Sequence, residues 1–193
     1  MIRLLIIAFL ATALAAQPPR VQTGDEAIAA DARSYARDQG VSHEEAIRRL
    51  RIQSEMGGLI GQLRRTHKAR LAGIAIEHQP VYRVRVLLTG TKPVASQEHK
   101  LGGSRLPVVF ETGAKATIDE LVNAMTANTD ALERIYPTLA GLGTDERTGE
   151  IVLDVYAPDA KDAEAAKAKL PEVRKLLGVP VRIEITNAYP TLM

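Results

Sequence analysis

The chain has no cysteine and no tryptophan in 193 residues, and phenylalanine occurs only twice. Without cysteine there is no disulfide to staple the fold and no thiol to carry a lipid anchor. Aromatic residues make up 4% of the sequence, which leaves few rings for stacking on bases. The formal net charge of +2 is too small to steer the chain to nucleic acid, so no nucleic-acid partner is expected. The four histidines, at 43, 67, 78 and 99, lack the paired spacing of a metal site. No internal repeat or low-complexity tract is present. What is left is an ordinary globular composition, 46% hydrophobic and 25% charged, in a length that suits one medium domain or two small ones.

The first residues, MIRLLIIAFLATALAA, place Arg3 ahead of an apolar run too short to span a bilayer comfortably. Small residues follow, and Ala13-Leu14-Ala15 fits the small-x-small rule of signal peptidase. Residues 1–15 therefore read as a removed signal peptide, the alternative being an uncleaved anchor. The mature chain is expected in the periplasm or outside the cell, with no integral membrane segment. Residues 16–24 read as an extended linker.

Beyond the linker the hydrophobic period points to an α+β fold in two parts. Asp25 is expected to cap a helix over 26–38 that Gly40 ends. Ser42 and Glu45 form the pattern of a capping box for a second helix, in which Ile52, Met56, Leu59, Ile60 and Leu63 make one apolar stripe. Gly57, Gly58 and Gly61 lie on or beside that stripe, as sites of close packing or of a break. The period then switches to two. Ile74, Ile76 and His78, followed by Tyr82, Val84, Val86 and Leu88, predict two strands joined by a tight turn. Residues 25–90 thus form a helix-helix-hairpin subdomain, and the polar stretch 91–105 reads as a long loop. In 106–187 the order is strand, helix capped by Thr117 and Glu120, strand, strand, helix capped by Asp159, strand. That is the order of a ferredoxin-like βαββαβ sandwich.

No catalytic constellation emerges from the residues. The stretch HEEAI, from His43, lacks the second histidine of the zinc helix motif, and its acids suit a helix N-terminus. Ser104 follows two glycines without the pattern of a nucleophile elbow. The stretch GLGTDE, from Gly141, leads into a hairpin rather than a helix, so its glycines are expected to supply positive φ in a turn. Glu77 and His78 are successive strand residues and point to opposite faces. The basic run from Arg64 to Arg70 reads as a solvated helix end. Neither a cofactor nor a metal is expected, and the chain reads as a binding protein rather than an enzyme.

The stretch DARSYARDQGVSHEEAIRRLRIQ, with LAGIAIEHQPVYRVRVLLTG after it, resembles the N-terminal prosegment of secreted serine proteases of the alpha-lytic protease and streptogrisin type. GTDERTGEIVLDVYA, residues 143–157, resembles the hairpin in the later half of those prosegments. The resemblance covers residues 25–90 well and 117–157 loosely. It implies a module that templates folding of its protease and then stays bound as an inhibitor, with its C-terminal tail in the active-site cleft. No protease domain follows in this sequence, so the expected partner is a serine peptidase in trans. The alternative is a non-catalytic envelope binding or scaffold protein that keeps the fold without a peptidase.

On this resemblance the partner-binding residues are the tail, Ala188, Tyr189, Pro190, Thr191, Leu192 and Met193. Pro190 suits an extended chain and limits the entropy lost on docking. Met193 would fill the pocket for the residue before a scissile bond, with Leu192 in the next subsite. The alternative is that Tyr189 and Leu192 fold back onto the sheet.

Overall fold

A computed structural model describes residues 23–187. The expected signal peptide over 1–15, the expected linker up to residue 22 and the tail 188–193 lie outside the described residues. The class is α+β.

Helix α1 spans Gly24–Gln39 and starts two residues earlier than the sequence suggests, because Thr23 is the cap. Its hydroxyl accepts the Glu26 N–H at 3.3 Å, and the Glu26 carboxylate accepts the Thr23 N–H at 3.0 Å. This reciprocal box satisfies two orphan groups. Gly40, at φ 63°, closes α1 in the left-handed region where a side chain would be strained. Helix α2 spans His43–Thr66. Ser42 accepts the Glu45 N–H as expected, but the Glu45 carboxylate turns to Arg48 and Arg49.

The α2 stripe is buried as its period requires: Ile52, Met56, Leu59 and Leu63 are inside, with Ile60 partly so. Each such side chain contributes about 1.5–3 kcal/mol by leaving water. Gly57 and Gly58 instead face solvent, with nothing within 4 Å of a built Cβ. They neither pack on α1 nor break the helix.

The stripe lies on a four-stranded sheet of β1 (Leu71–Glu77), β2 (Arg83–Thr89), β3 (Gln97–Leu101) and β4 (Ser104–Ala114), ordered β1-β2-β4-β3. The β1–β2 pair is the expected hairpin. The stretch expected as a loop contains β3, which turns through Gly102 and Gly103 (φ 55° and 73°) and pairs antiparallel with β4. Strand β4 in turn pairs parallel with β2, Val84 beside Val108 and Val86 beside Phe110. Leu106 and Val108 therefore complete the first core.

With β4 in the first sheet, the four-stranded sandwich expected over 106–187 is a three-stranded sheet. Its strands are β5 (Leu139–Asp145), β6 (Glu150–Tyr156) and β7 (Val181–Thr186), ordered β5-β6-β7. Four short helices serve it: α3 (Ile118–Ala127), α4 (Thr129–Ile135), α5 (Ala160–Ala168) and α6 (Leu170–Leu177). Thr117–Glu120 and Asp159 cap α3 and α5 as the sequence predicts. Leu121, Leu132, Ala166, Val173 and Leu177 from the helices meet Ile151, Leu153, Val155 and Val181 in a second core. On α3, Val122 is 39% exposed, whereas Ile118 reaches the first core.

The two sheets meet at the β5–β6 turn. Glu146 accepts the Ile74 N–H of β1 at 2.9 Å and pairs with Arg64 of α2 at 2.7 Å. A Cβ on Gly73 would stand 1.9 Å from the Glu146 carbonyl, so only glycine permits this approach. Arg85 reaches the Arg147 carbonyl at 2.7 Å while also pairing with Glu77 and Glu111.

Candidate functional site

Strand β7 is built by strict alternation. Val181, Ile183 and Ile185 turn to the helices, and Arg182, Glu184 and Thr186 lie on the face opposite them. One side of β7 pairs parallel with β6; the other is the outer edge of the sheet. Arg182 anchors the strand to its neighbours, reaching Asp145 at 2.9 Å, Glu184 at 2.8 Å and Glu150 at 3.8 Å. Asp145 is held in turn by the Arg147 N–H at 2.8 Å. The strand ends one residue before the tail at 188. An outer strand carries a row of backbone groups that can pair with an added strand, and charged side chains guard it against indiscriminate pairing. Chemically this edge can bind an added strand.

A second group of titratable side chains lies where α1, α2 and the β1–β2 turn meet. The Tyr35 hydroxyl and His78 Nδ1 are 2.9 Å apart, and Gln53 donates to the same hydroxyl. Arg49, 6% exposed, donates to the His78 carbonyl, pairs with Glu45 and lies over the Tyr82 ring. Hydrogen bonds from Arg48, opposed by burial and reinforced by Arg49, bring Glu45 down to about 2. Burial, then the charges of Arg49 and Arg147, lower His78 below its ordinary value. Burial raises the Tyr82 phenol, whose hydroxyl makes no hydrogen bond of good geometry. Glu45 offsets one of the two arginine charges, and the hydrogen bonds of the Tyr35 hydroxyl tie α1 to α2 and to the β1–β2 turn.

The other sequence-predicted residues do not converge. His43 begins α2, His67 packs its ring 5.0 Å from Phe110, and His99 contacts Gln97 on β3. No group of three or more metal-ligating side chains occurs among the described residues. Ser104 opens β4 after a turn that docks on α2, where Glu55 accepts the Gly102 N–H at 2.7 Å. Glu77 pairs with Arg83 and Arg85, away from His78. Gly141 and Gly143 belong to β5 and not to a turn; the positive φ in that hairpin is at Gly149, at 71°. Gly141 makes room for Asp154, whose carboxylate oxygen would lie 2.5 Å from a Cβ there. The basic run splits, Arg64 pairing with Glu146 and Arg70 donating to the Thr89 and Lys92 carbonyls.

Sequence reasoning missed the groove between α4 and α6, about 770 Å³, lined by Ala131, Arg134, Ile135, Lys169, Lys175 and Leu176 among others. The exposed Leu176 beside Lys175 was the available signal. The tail residues Ala188 to Met193 lie outside the described residues. No described helix is long and apolar enough to cross a membrane. Comparison with protein-family models and with curated proteins finds no match to this chain.

Proposed function

We propose that the chain is an exported, non-catalytic module that binds a serine peptidase in trans, as inhibitor, folding assistant or both. The observation that carries the reading is the position of β7. It is the outer strand of its sheet and it runs directly toward the tail. An extended partner segment added along this edge would gain affinity from backbone hydrogen bonds and selectivity from alternate side chains. The tail would then continue past the edge into the substrate cleft, with Leu192 and Met193 in successive subsites.

The test is capture. The chain without residues 1–15 is immobilised, exposed to periplasmic and extracellular fractions, and the retained proteins are labelled with a fluorophosphonate probe. A labelled peptidase that loses hydrolytic activity, or refolds faster, on addition of the free protein is the expected result. A captured peptidase indifferent to the protein in both respects overturns the reading. Retention of unlabelled envelope proteins alone would favour a scaffold without peptidase binding.

A further inference from the structure

Residues of helices α4 and α6, with Lys169 at the start of α6, line a broad groove open to solvent. Its floor is Ala131, Ile135 and Leu176, the last 39% exposed; its rim is Arg134, Lys169 and Lys175, with Glu172 as the one acid. Lys169 is already ordered: its Nζ donates to the Ile135 carbonyl at 2.7 Å and lies 5.5 Å from the Tyr136 ring centroid. Arg134 and Lys175 have no ion-pair partner among the described residues, whereas Arg48, Arg49, Arg64, Arg83, Arg85 and Arg182 all do.

We propose that this groove docks an acidic amphipathic helix of a partner protein, with apolar residues on Ile135 and Leu176 and carboxylates on Arg134 and Lys175. The dimensions favour a helix. α4 and α6, at seven and eight residues, are about 10–12 Å long, which matches two turns of a third helix laid between them. A small amphipathic molecule is disfavoured because pockets for such ligands bury some 70–90% of the ligand, and this groove is open. Charge complementarity sets the sign, since the rim carries three cations against one anion. The inference is independent of the peptidase reading, which uses the β7 edge.

The probe is a fluorescein-labelled helical peptide of about four turns, with leucines at i, i+3, i+4 and i+7 and flanking glutamates. A second peptide replaces every glutamate by lysine. Anisotropy is expected to show saturable binding of the acidic peptide and much weaker binding of the basic one. Arg134→Glu with Lys175→Glu should weaken the acidic peptide about ten-fold and strengthen the basic one. Leu176→Ala should weaken both, and rising salt should weaken the acidic peptide on the unaltered protein. Thermal melts establish that the surface variants fold. Equal binding of both peptides, or acidic-peptide binding unchanged by the charge reversal and by salt, overturns the proposal. So does binding to phosphatidylglycerol vesicles that depends on the same two cations while the acidic peptide fails to bind.

Discussion

Replacing Glu146 by alanine tests how the two sheets are held together. The carboxylate has two partners from the other half of the chain, the Ile74 N–H at 2.9 Å and the Arg64 guanidinium at 2.7 Å. A hydrogen bond to a charged acceptor is worth about 1.5–3 kcal/mol when its loss strands the donor. The Glu146 side chain is 30% exposed, so water can reach the Ile74 N–H in part and the lower end applies. The Arg64 pair, 44% exposed on the arginine side, adds about 0.2–1 kcal/mol. The total is roughly 2 kcal/mol, or a melting temperature lower by about 4–8 °C for a chain of this size. Glu146→Gln keeps a neutral acceptor for Ile74 and should lose about half as much. Urea denaturation with far-ultraviolet dichroism gives the free energies, and hydrogen exchange at Ile74 gives the local effect. Unfolding free energies for Glu146→Ala within 0.5 kcal/mol of the parent, with Ile74 exchange unchanged, would refute the assignment of the joint to this carboxylate.

Two further changes follow from the same contacts. Gly57→Ala with Gly58→Ala fills open space on the solvent side of α2 and should stabilise by up to about 1 kcal/mol per site, read as a higher urea midpoint; a lower midpoint would mean that these positions are not free. Glu45 ionises at about 2 in the fold against 4.5 unfolded, so its stabilisation is complete above pH 4.5 and is lost as pH falls toward 2. With its side chain 28% exposed, screening reduces the linkage to about 1–2 kcal/mol. Glu45→Gln should flatten that part of the stability-versus-pH curve and destabilise at pH 7, because Arg49 is left buried without its partner; an unchanged curve would contradict the assignment.

Where local chemistry decides structure, the sequence was legible. Thr117 with Glu120, Asp159, the α2 stripe and the alternation of β6 each need only a few neighbouring residues to act. Where partners are distant, it was not. β3, with the sequence QEHKL, carries no apolar alternation because it is an exposed edge strand held by pairing with β4. The Leu106–Val108 stretch reads equally well in either half, and its parallel register with β2 decides the matter. α4, seven residues long, is too short to show a period and is fixed by burying Leu132 and by the Tyr136 hydroxyl on the Ala166 carbonyl at 3.1 Å. The candidate edge at β7 was legible as a strand, but its place at the end of the sheet depends on the β6–α5–α6–β7 crossover.

The most direct measurement is a titration of a captured serine peptidase with two forms of the protein, intact at the C-terminus and lacking Pro190 to Met193. The intact form is expected to abolish peptide hydrolysis near equimolar ratio, while the shortened form inhibits poorly and melts at the same temperature. Full peptidase activity in excess intact protein would overturn the peptidase reading. So would equal inhibition by the shortened form, because the tail would then have no place in the cleft.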